Sequence, residues 1–474
     1  MVHQIETDYL VVGAGASGMA FVDALIAETD AEVVMVDRRH RPGGHWVDAY
    51  PFVRLHQPST CYGVNSRVLG GDCIDETGPN AGFYERATAA EICDYYTRVL
   101  EEHMLPSGQV RFYGMSDYVG NGAGGYRFVS NLTGEATTVK VRRKLVDTTY
   151  TEGTIPATHT PAFEVDAGVR LLPPNDLVHL SDGAAGYTVI GAGKTAMDAC
   201  CWLMDNGVDP GDIRWIRPRD PWTFNRAAMQ PLELVGSYMG FYSRMVEAMA
   251  EASSTADAMH RLEGHGIVRR IDTSVEPAVL RGATLDDAEL AALRRIENVV
   301  RLGKVRRVGT DRVTLDEGTI PSGAGQVYVD CTASALGAYA SVPVRPIFEA
   351  GRITAQIVTL GIIPWSAATL GYVEATRDDD DEKNRLCPPL EYFGEVADPP
   401  RAFDVVLRSA SARMAEPDIA AWNEGCRLNP ARGVADHLDD TRVTAGFARL
   451  AENMGPALAN LEQLVAQATS PASV

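Results

Sequence analysis

The chain has 474 residues, 45% of them hydrophobic, enough to fill the cores of about two or three domains. Its 63 acidic side chains outnumber 43 basic ones, and the net charge of −20 repels phosphate backbones and anionic lipid. This balance excludes a disordered polymer, speaks against nucleic acid or a membrane surface as partner, and favours chemistry on a small-molecule substrate.

Residues 1–8 carry two acids and no basic region ahead of the first apolar run, so a cytoplasmic protein without a secretory signal is expected. Residues 8–12 (Asp-Tyr-Leu-Val-Val) suit a buried parallel strand and pass directly into Gly13-Ala14-Gly15-Ala16-Ser17-Gly18. Residues 19–26 put Ala20, Phe21, Ala24 and Leu25 on one helical face, and residues 31–36 read as a second buried strand ending at Asp37. This is a complete βαβ unit. In it Gly13 makes the tight turn, Gly15 admits backbone to a pyrophosphate, and Gly18 lets helix and strand pack closely. The helix start, with Ser17 in its first turn, offers free N–H groups to the anion. Asp37 stands where a carboxylate accepts hydrogen bonds from a ribose diol, with Arg38 beside it.

A second unit begins at Tyr187-Thr188-Val189-Ile190 and continues into Gly191-Ala192-Gly193-Lys194-Thr195-Ala196, where Ala196 replaces the third glycine. A helix over residues 197–204 and a strand over 213–216 follow, and Arg217 stands at the strand's end with Arg214 and Arg219 close by. Arginine there suits a 2′-phosphate, so this site is expected to prefer NADPH to NADH, and Lys194 adds charge near the phosphates. Gly193-Lys194-Thr195 is not a triphosphate loop, because Thr188 occupies the position of that loop's first glycine. Cys200 and Cys201 fall inside the helix and read as packing residues. The eight cysteines include no Cys-x-x-Cys pair and no zinc-ligand spacing, so neither a disulfide framework nor a metal is expected.

Two dinucleotide units, one ending in an acid and one in arginines, follow the logic of a flavoprotein with FAD in the first and NADPH in the second. Gly43-Gly44-His45-Trp46, Tyr50-Pro51 and Leu55-His56-Gln57-Pro58-Ser59 resemble the segment after the second strand in the class B flavoprotein monooxygenases, which include flavin-containing and Baeyer–Villiger monooxygenases. Residues 145–150, with Asp147 and Thr148, look like the exit from that family's FAD domain. Residues 327–333, with Asp330 and Thr332, look like the strand and turn that return to the flavin after an inserted NADPH domain.

The resemblance implies an α/β fold with two Rossmann-like domains: a discontinuous FAD domain over about residues 1–165 and 318–474, and an NADPH domain over 166–317. It implies Gly44 and Trp46 beside the flavin, and His45 near it without a covalent bond. Gln57 falls at about the position of an asparagine that helps hold the oxygenated flavin in the family; it and the adjacent His56 are the catalytic candidates. The implied activity is NADPH-dependent insertion of one atom of O2 into a small organic substrate, through a flavin C4a-(hydro)peroxide. The family's Phe-x-Gly-x-x-x-His fingerprint is not spelled in residues 169–180, where His179 is a loose stand-in. That departure motivates an alternative, an FAD-dependent oxidase or dehydrogenase without oxygen insertion. A non-catalytic flavin-binding protein is the alternative from another class.

Residues 222–302 read as a long helical insertion. Within it, residues 235–252 carry Tyr238, Met239, Phe241, Tyr242, Met245 and Met249, either as core or as the roof of a substrate pocket, and residues 288–302 read as a further helix. The apolar stretch 355–372 is broken by Gly361, Pro364 and Ser366 and falls short of a membrane span. The acidic run 378–382 reads as a solvated loop without calcium-loop spacing. Residues 400–474 show helical spacing and either cover the first domain or form a subunit contact in a homo-oligomer.

Overall fold

The structure is a computed structural model that describes residues 3–122, 125–334, 342–360, 362–391 and 398–469. Strand β1 (His3–Val12) runs through the glycine turn into helix α1 (Ala16–Glu28) and back to β2 (Val33–Val36), which pairs parallel with β1. Leu10 and Val11 are fully buried, as a strand covered on both faces requires. Helix α2 (Ala89–Val99), started by a Thr88–Glu91 capping box, leads to β3 (Val110–Tyr113). A hairpin of β4 (Ser116–Gly122) and β5 (Gly125–Ser130) then precedes β6 (Ala136–Asp147), which lies parallel beside β1 with Asp147 opposite Val12.

The second unit repeats this plan. After the short β7 (Glu164–Val165) and β8 (Arg170–Leu172), β9 (Gly186–Ile190) enters the second glycine turn, helix α3 (Lys194–Asp205) and β10 (Ile213–Ile216). The insertion is not purely helical, contrary to its periodicity. It contains β11 (Pro221–Asn225), α4 (Val235–Glu251), α5 (Thr255–Gly264), β12 (Val268–Arg270), β13 (Val279–Leu285) and α6 (Asp287–Leu293), and its three strands form a sheet in the order β12-β11-β13. The helix expected over 288–302 stops at Leu293, because β14 (Val299–Val300), rich in β-branched side chains, pairs with β10. A meander of β15 (Val305–Val308), β16 (Arg312–Leu315) and β17 (Gly318–Pro321) leads to β18 (Gln326–Asp330).

Strand β18 lies past the expected domain boundary at 318. It runs inside the second sheet, whose all-parallel order is β14-β10-β9-β18-β8, with Val327 and Val329 fully buried there. The chain regains the first sheet through β19 (Phe348–Glu349) and β20 (Arg352–Thr354), completing the order β19-β20-β6-β1-β2-β3. Helix α7 (Ile363–Thr376) takes up much of the apolar stretch 355–372, whose Gly361 lies outside the described residues. It packs on α1 so closely that a Cβ on Gly371 would lie 2.5 Å from the Phe21 carbonyl oxygen. Among the described residues, no helix is long and apolar enough to cross a membrane.

The acidic run is not a loop. Asp379 caps a helix over Asp380–Leu386, and Asp380 pairs with Lys144 and Lys383. The final helix, Thr441–Thr469, packs along α4 rather than over the first sheet: Leu461 and Leu464 share a core with Phe241, Met245 and Met249. Most of the methionine and aromatic stripe is therefore core.

Candidate functional site

A cavity of about 420 Å³ opens at the ends of β1, β2 and β6. Gly13 turns with φ +98°, and a Cβ on Gly18 would sit 2.0 Å from the Gly13 carbonyl oxygen, so both glycines are required sterically. A Cβ on Gly44 would lie 2.8 Å from Gly15 Cα. At this point two backbones form the cavity wall, and Ser17 of the first α1 turn lines it. Asp37 is fixed by two backbone donors, Ala14 N and Arg39 N, both at 2.7 Å. Arg38 pairs with Glu152, and both line the cavity. Thr148 donates to the Val12 carbonyl at 2.7 Å, while Asp147 caps Thr149 and pairs with Arg352.

Trp46 lies just behind this wall and donates its indole N–H to the Tyr62 hydroxyl at 2.7 Å; burial pushes that hydroxyl up to about 12. The His45 ring is open to the cavity yet enclosed by protein, and desolvation together with Arg39 holds its imidazole down at about 4. Sequence reasoning missed the opposite wall, Ile363, Ser366 and Ala367 of α7. Its signal was Pro364 at a helix start.

The second glycine turn reproduces the first. Gly191 has φ +136°, and its Cβ would meet the Cys331 carbonyl oxygen at 2.5 Å, while nothing lies within 4 Å of a Cβ on Gly193. Thr195 stands in the first turn of α3. Asp330 Oδ1 accepts from Thr332 N and Oγ1 at 2.9 and 2.6 Å, just as Asp147 Oδ1 accepts from Thr149 N and Oγ1 at 3.0 and 2.8 Å.

Two expected phosphate ligands are turned inward. Arg217 is 1% exposed, lies 4.8 Å above the Trp215 ring and pairs with Asp220 at 2.8 Å. Trp215 in turn donates to the Gly191 carbonyl at 2.7 Å, so Arg217 backs the glycine turn through Trp215. Arg219 is exposed at the same strand end. Lys194 is buried and paired with Asp198 and, at 3.1 Å, with Glu289. Burial alone would lower its ammonium, but the two carboxylates outweigh it and raise it.

Between the two units lies a charge network that no motif announced. Tyr50 donates to Asp198 at 2.8 Å, and Phe52 stacks on Trp202, so the segment carrying His56 and Gln57 is seated on α3. Arg226, 1% exposed, pairs with Asp286 and, at 2.7 Å, with Glu289, while Arg86 approaches Glu289 at 3.8 Å. Burial would raise the Glu289 carboxyl; Lys194 and Arg226 hold it far below the usual range. The His56 ring makes no hydrogen bond among the described residues, and burial and then Lys194 hold it neutral, at about 4. Gln57 donates its amide to the Cys61 carbonyl at 3.2 Å.

Fold and site together define a protein with two Rossmann-like dinucleotide-binding units in one chain. The family model for the NAD(P)-binding Rossmann-like domain matches residues 11–52. The chain is 43% identical over 426 residues to uncharacterized protein Rv2000 of Mycobacterium tuberculosis (strain ATCC 25618 / H37Rv) and equally to uncharacterized protein Mb2023 of Mycobacterium bovis, covering 90% of this chain and 78% of each relative. It belongs to their family. Solved structures with a similar fold include closed cyclohexanone monooxygenase, at 14% identity and TM-score 0.49 over 93% of this chain and 98% of that one. Cyclohexanone monooxygenase from Rhodococcus sp. Phi1 bound to NADP+ is similar at 15% identity and TM-score 0.47, over 81% of this chain and 89% of that one.

Proposed function

We propose that this protein is an FAD-dependent, NADPH-using monooxygenase acting on a small organic substrate. The carrying observation is the first cavity. Gly13, Gly15, Ser17, Asp37, Gly44 and Thr148 fit FAD, because close backbone approach, a helix N-terminus and a fixed carboxylate meet in one cleft at the ends of parallel strands. Gly191, Gly193 and Thr195 fit a second pyrophosphate at the start of α3, and Arg219, exposed at the end of β10 where Arg217 is buried, is the arginine we assign to a 2′-phosphate. On this reading the first sheet with the segment from β19 onward is the FAD unit, and the second sheet through Asp330 is the NADPH unit.

When bound, FAD supplies the redox and O2 chemistry. The chain's own residues supply the rest. His56 stays neutral and offers one N–H donor and one acceptor nitrogen; Gln57, its amide nitrogen engaged with Cys61, keeps Oε1 as an acceptor. Trp46, Tyr62 and α7 exclude water from the cleft.

The test is an anaerobic titration of the FAD-loaded protein with NADPH, followed by admission of air. Bleaching of the flavin band, then reoxidation with transfer of labelled oxygen from ¹⁸O₂ to a product, is the expected result. A flavin band that NADPH leaves intact would sink the reading. The withdrawal of Arg217 and Lys194 from the second site favours one other reading, an oxidase or dehydrogenase whose substrate reduces the flavin directly; there the substrate, not NADPH, bleaches the band.

A further inference from the structure

The first cleft, which takes FAD in the proposed reading, is lined by three carboxylates, Asp37, Asp117 and Glu152, and two guanidiniums, Arg38 and Arg39. Both arginines are already shared with acids. Arg38 pairs with Glu152, and Arg39 pairs with Asp48 at 2.7 Å and approaches Glu152 at 3.8 Å. Tyr62 and Tyr118, also in the lining, stay neutral phenols, because burial raises both hydroxyls. A dinucleotide pyrophosphate brings further negative charge into this space, in a chain whose net charge is −20.

His45 lines the same cleft and makes no hydrogen bond or ion pair among the described residues. Its exposed surface faces the cleft, and protein encloses the rest. Its place on the chain sets it at the pyrophosphate end. Gly43 N donates to the Ala14 carbonyl at 2.9 Å, and a Cβ on Gly15 would lie 3.3 Å from Gly44 Cα. The turn Gly44–Asp48 is therefore fastened to the glycine turn that precedes α1. The start of α1 supplies N–H donors to a phosphate, and His45 is the side chain beside them that can add a positive charge not shared with a carboxylate.

With no anion beside it the imidazole is neutral, since desolvation and then the Arg39 guanidinium hold it at about 4. A phosphate opposes both causes: an opposite charge favours the protonated ring, and poor hydration strengthens the attraction. Trp46, its ring centre 4.9 Å from that of His45 and its plane tilted by 33°, has its N–H committed to Tyr62. The indole face is what remains for His45, and a positive ring gains cation–π attraction there. The other ionisable groups around the turn are Asp48 on the turn itself, Asp37 and Arg38 after β2, Asp117 on β4, Glu152 after β6 and the Cys93 thiol of α2, which burial keeps neutral.

We infer that His45 takes up a proton when FAD binds, and that its imidazolium then pairs with the FAD pyrophosphate, so that retention of the cofactor depends on pH. One proton from solvent adds to the unprotonated ring nitrogen; no bond breaks, and nothing is oxidised or reduced. The inference rests on the assignment of the first cleft to FAD and is independent of any oxygen chemistry. Linkage fixes the direction. Because the ring binds its proton more tightly with FAD than without, affinity is greatest at low pH and is lost as pH rises through the value of the complex.

The experiment is equilibrium dialysis of the full FAD-loaded chain at pH 5 to 8, with calorimetry of the flavin-stripped full chain against FAD at pH 5 in two buffers of different ionisation enthalpy. The wild-type Kd for FAD should rise at least about 10-fold from the acid to the alkaline end, the usual weight of one charge-assisted contact. Calorimetry should show uptake of about 0.5–1 proton per FAD at the acid end. His45→Gln, which keeps a donor but gains no charge, should bind FAD at every pH about as the wild type does at pH 8, with no proton uptake and an unchanged denaturation midpoint. His45→Arg, a permanent cation, should bind tightly across the range without uptake. A wild-type Kd that does not change with pH, the absence of proton uptake, or a His45→Gln variant that keeps the wild-type pH dependence would overturn the inference and leave the FAD assignment standing. A chain that binds no FAD at any pH would sink that assignment and the inference with it.

Discussion

Lys194 Nζ lies 3.1 Å from Glu289 Oε1, joining the first turn of α3 to the first turn of α6 across 95 positions of sequence. Asp198 and Arg226 close the same network, and every member is largely buried. Replacing Lys194 by Met should therefore act mainly on stability, at about 3–5 kcal/mol, because two carboxylates lose their nearest cation in a poorly hydrated place. The denaturant midpoint should fall steeply. A 10-fold rise in the KM for NADPH with an unmoved midpoint would instead put Lys194 on the phosphates.

The contact between Gly15 and Gly44 sets the second prediction. A side chain at Gly15 enters a space where Gly44 Cα is already 3.3 Å from its Cβ position, and Gly44 itself has φ +58°. Gly15→Val should yield folded but colourless protein, judged by the ratio of flavin to protein absorbance. Retained yellow colour would refute the assignment of the first cleft to FAD.

Coenzyme preference separates the two arginines. Arg217→Ala removes a buried group stacked on Trp215 and should lower stability while leaving the NADPH/NADH ratio of kcat/KM unchanged. Arg219→Ala should lower that ratio about 5-fold, the weight of one exposed phosphate contact. The opposite pattern would restore Arg217 as the 2′-phosphate ligand.

His56 makes stability depend on pH in a defined direction. Its folded value of about 4 lies below the ordinary 6.5, so the unfolded chain binds the extra proton between the two. The contribution is complete above 6.5 and is lost as pH falls toward 4. His56→Asn should show a shallower fall of the denaturation midpoint across that window than the wild type. Parallel curves for the two proteins would mean that His56 is not held neutral.

Both dinucleotide units were legible in the sequence because each is local: strand, glycine turn, helix and second strand follow within about 30 residues, and sterics at Gly13, Gly18 and Gly191 dictate the turn without help from the rest of the chain. What the side chains at those units do was not legible in the same way. Arg217 and Lys194 stand at motif positions that suggest phosphate, yet each is claimed by a carboxylate that the motif does not contain, Asp220 in one case and Asp198 with Glu289 in the other.

Strand β18 teaches the same distinction. Its apolar run predicts a buried strand, and it is one, but only pairing with β9 and β8 decides which sheet it joins. The extension of the second sheet by β14 cut short a helix that periodicity favoured. The sequence by itself determined the α/β class, the two glycine turns and the helix starts that face them, since these depend on neighbours a few bonds away. Tertiary structure alone decided how the buried charges are used, because a buried charge is neutralised by whatever the fold brings beside it: Lys144 and Lys383 meet at Glu374, and Arg226 meets Asp286 and Glu289.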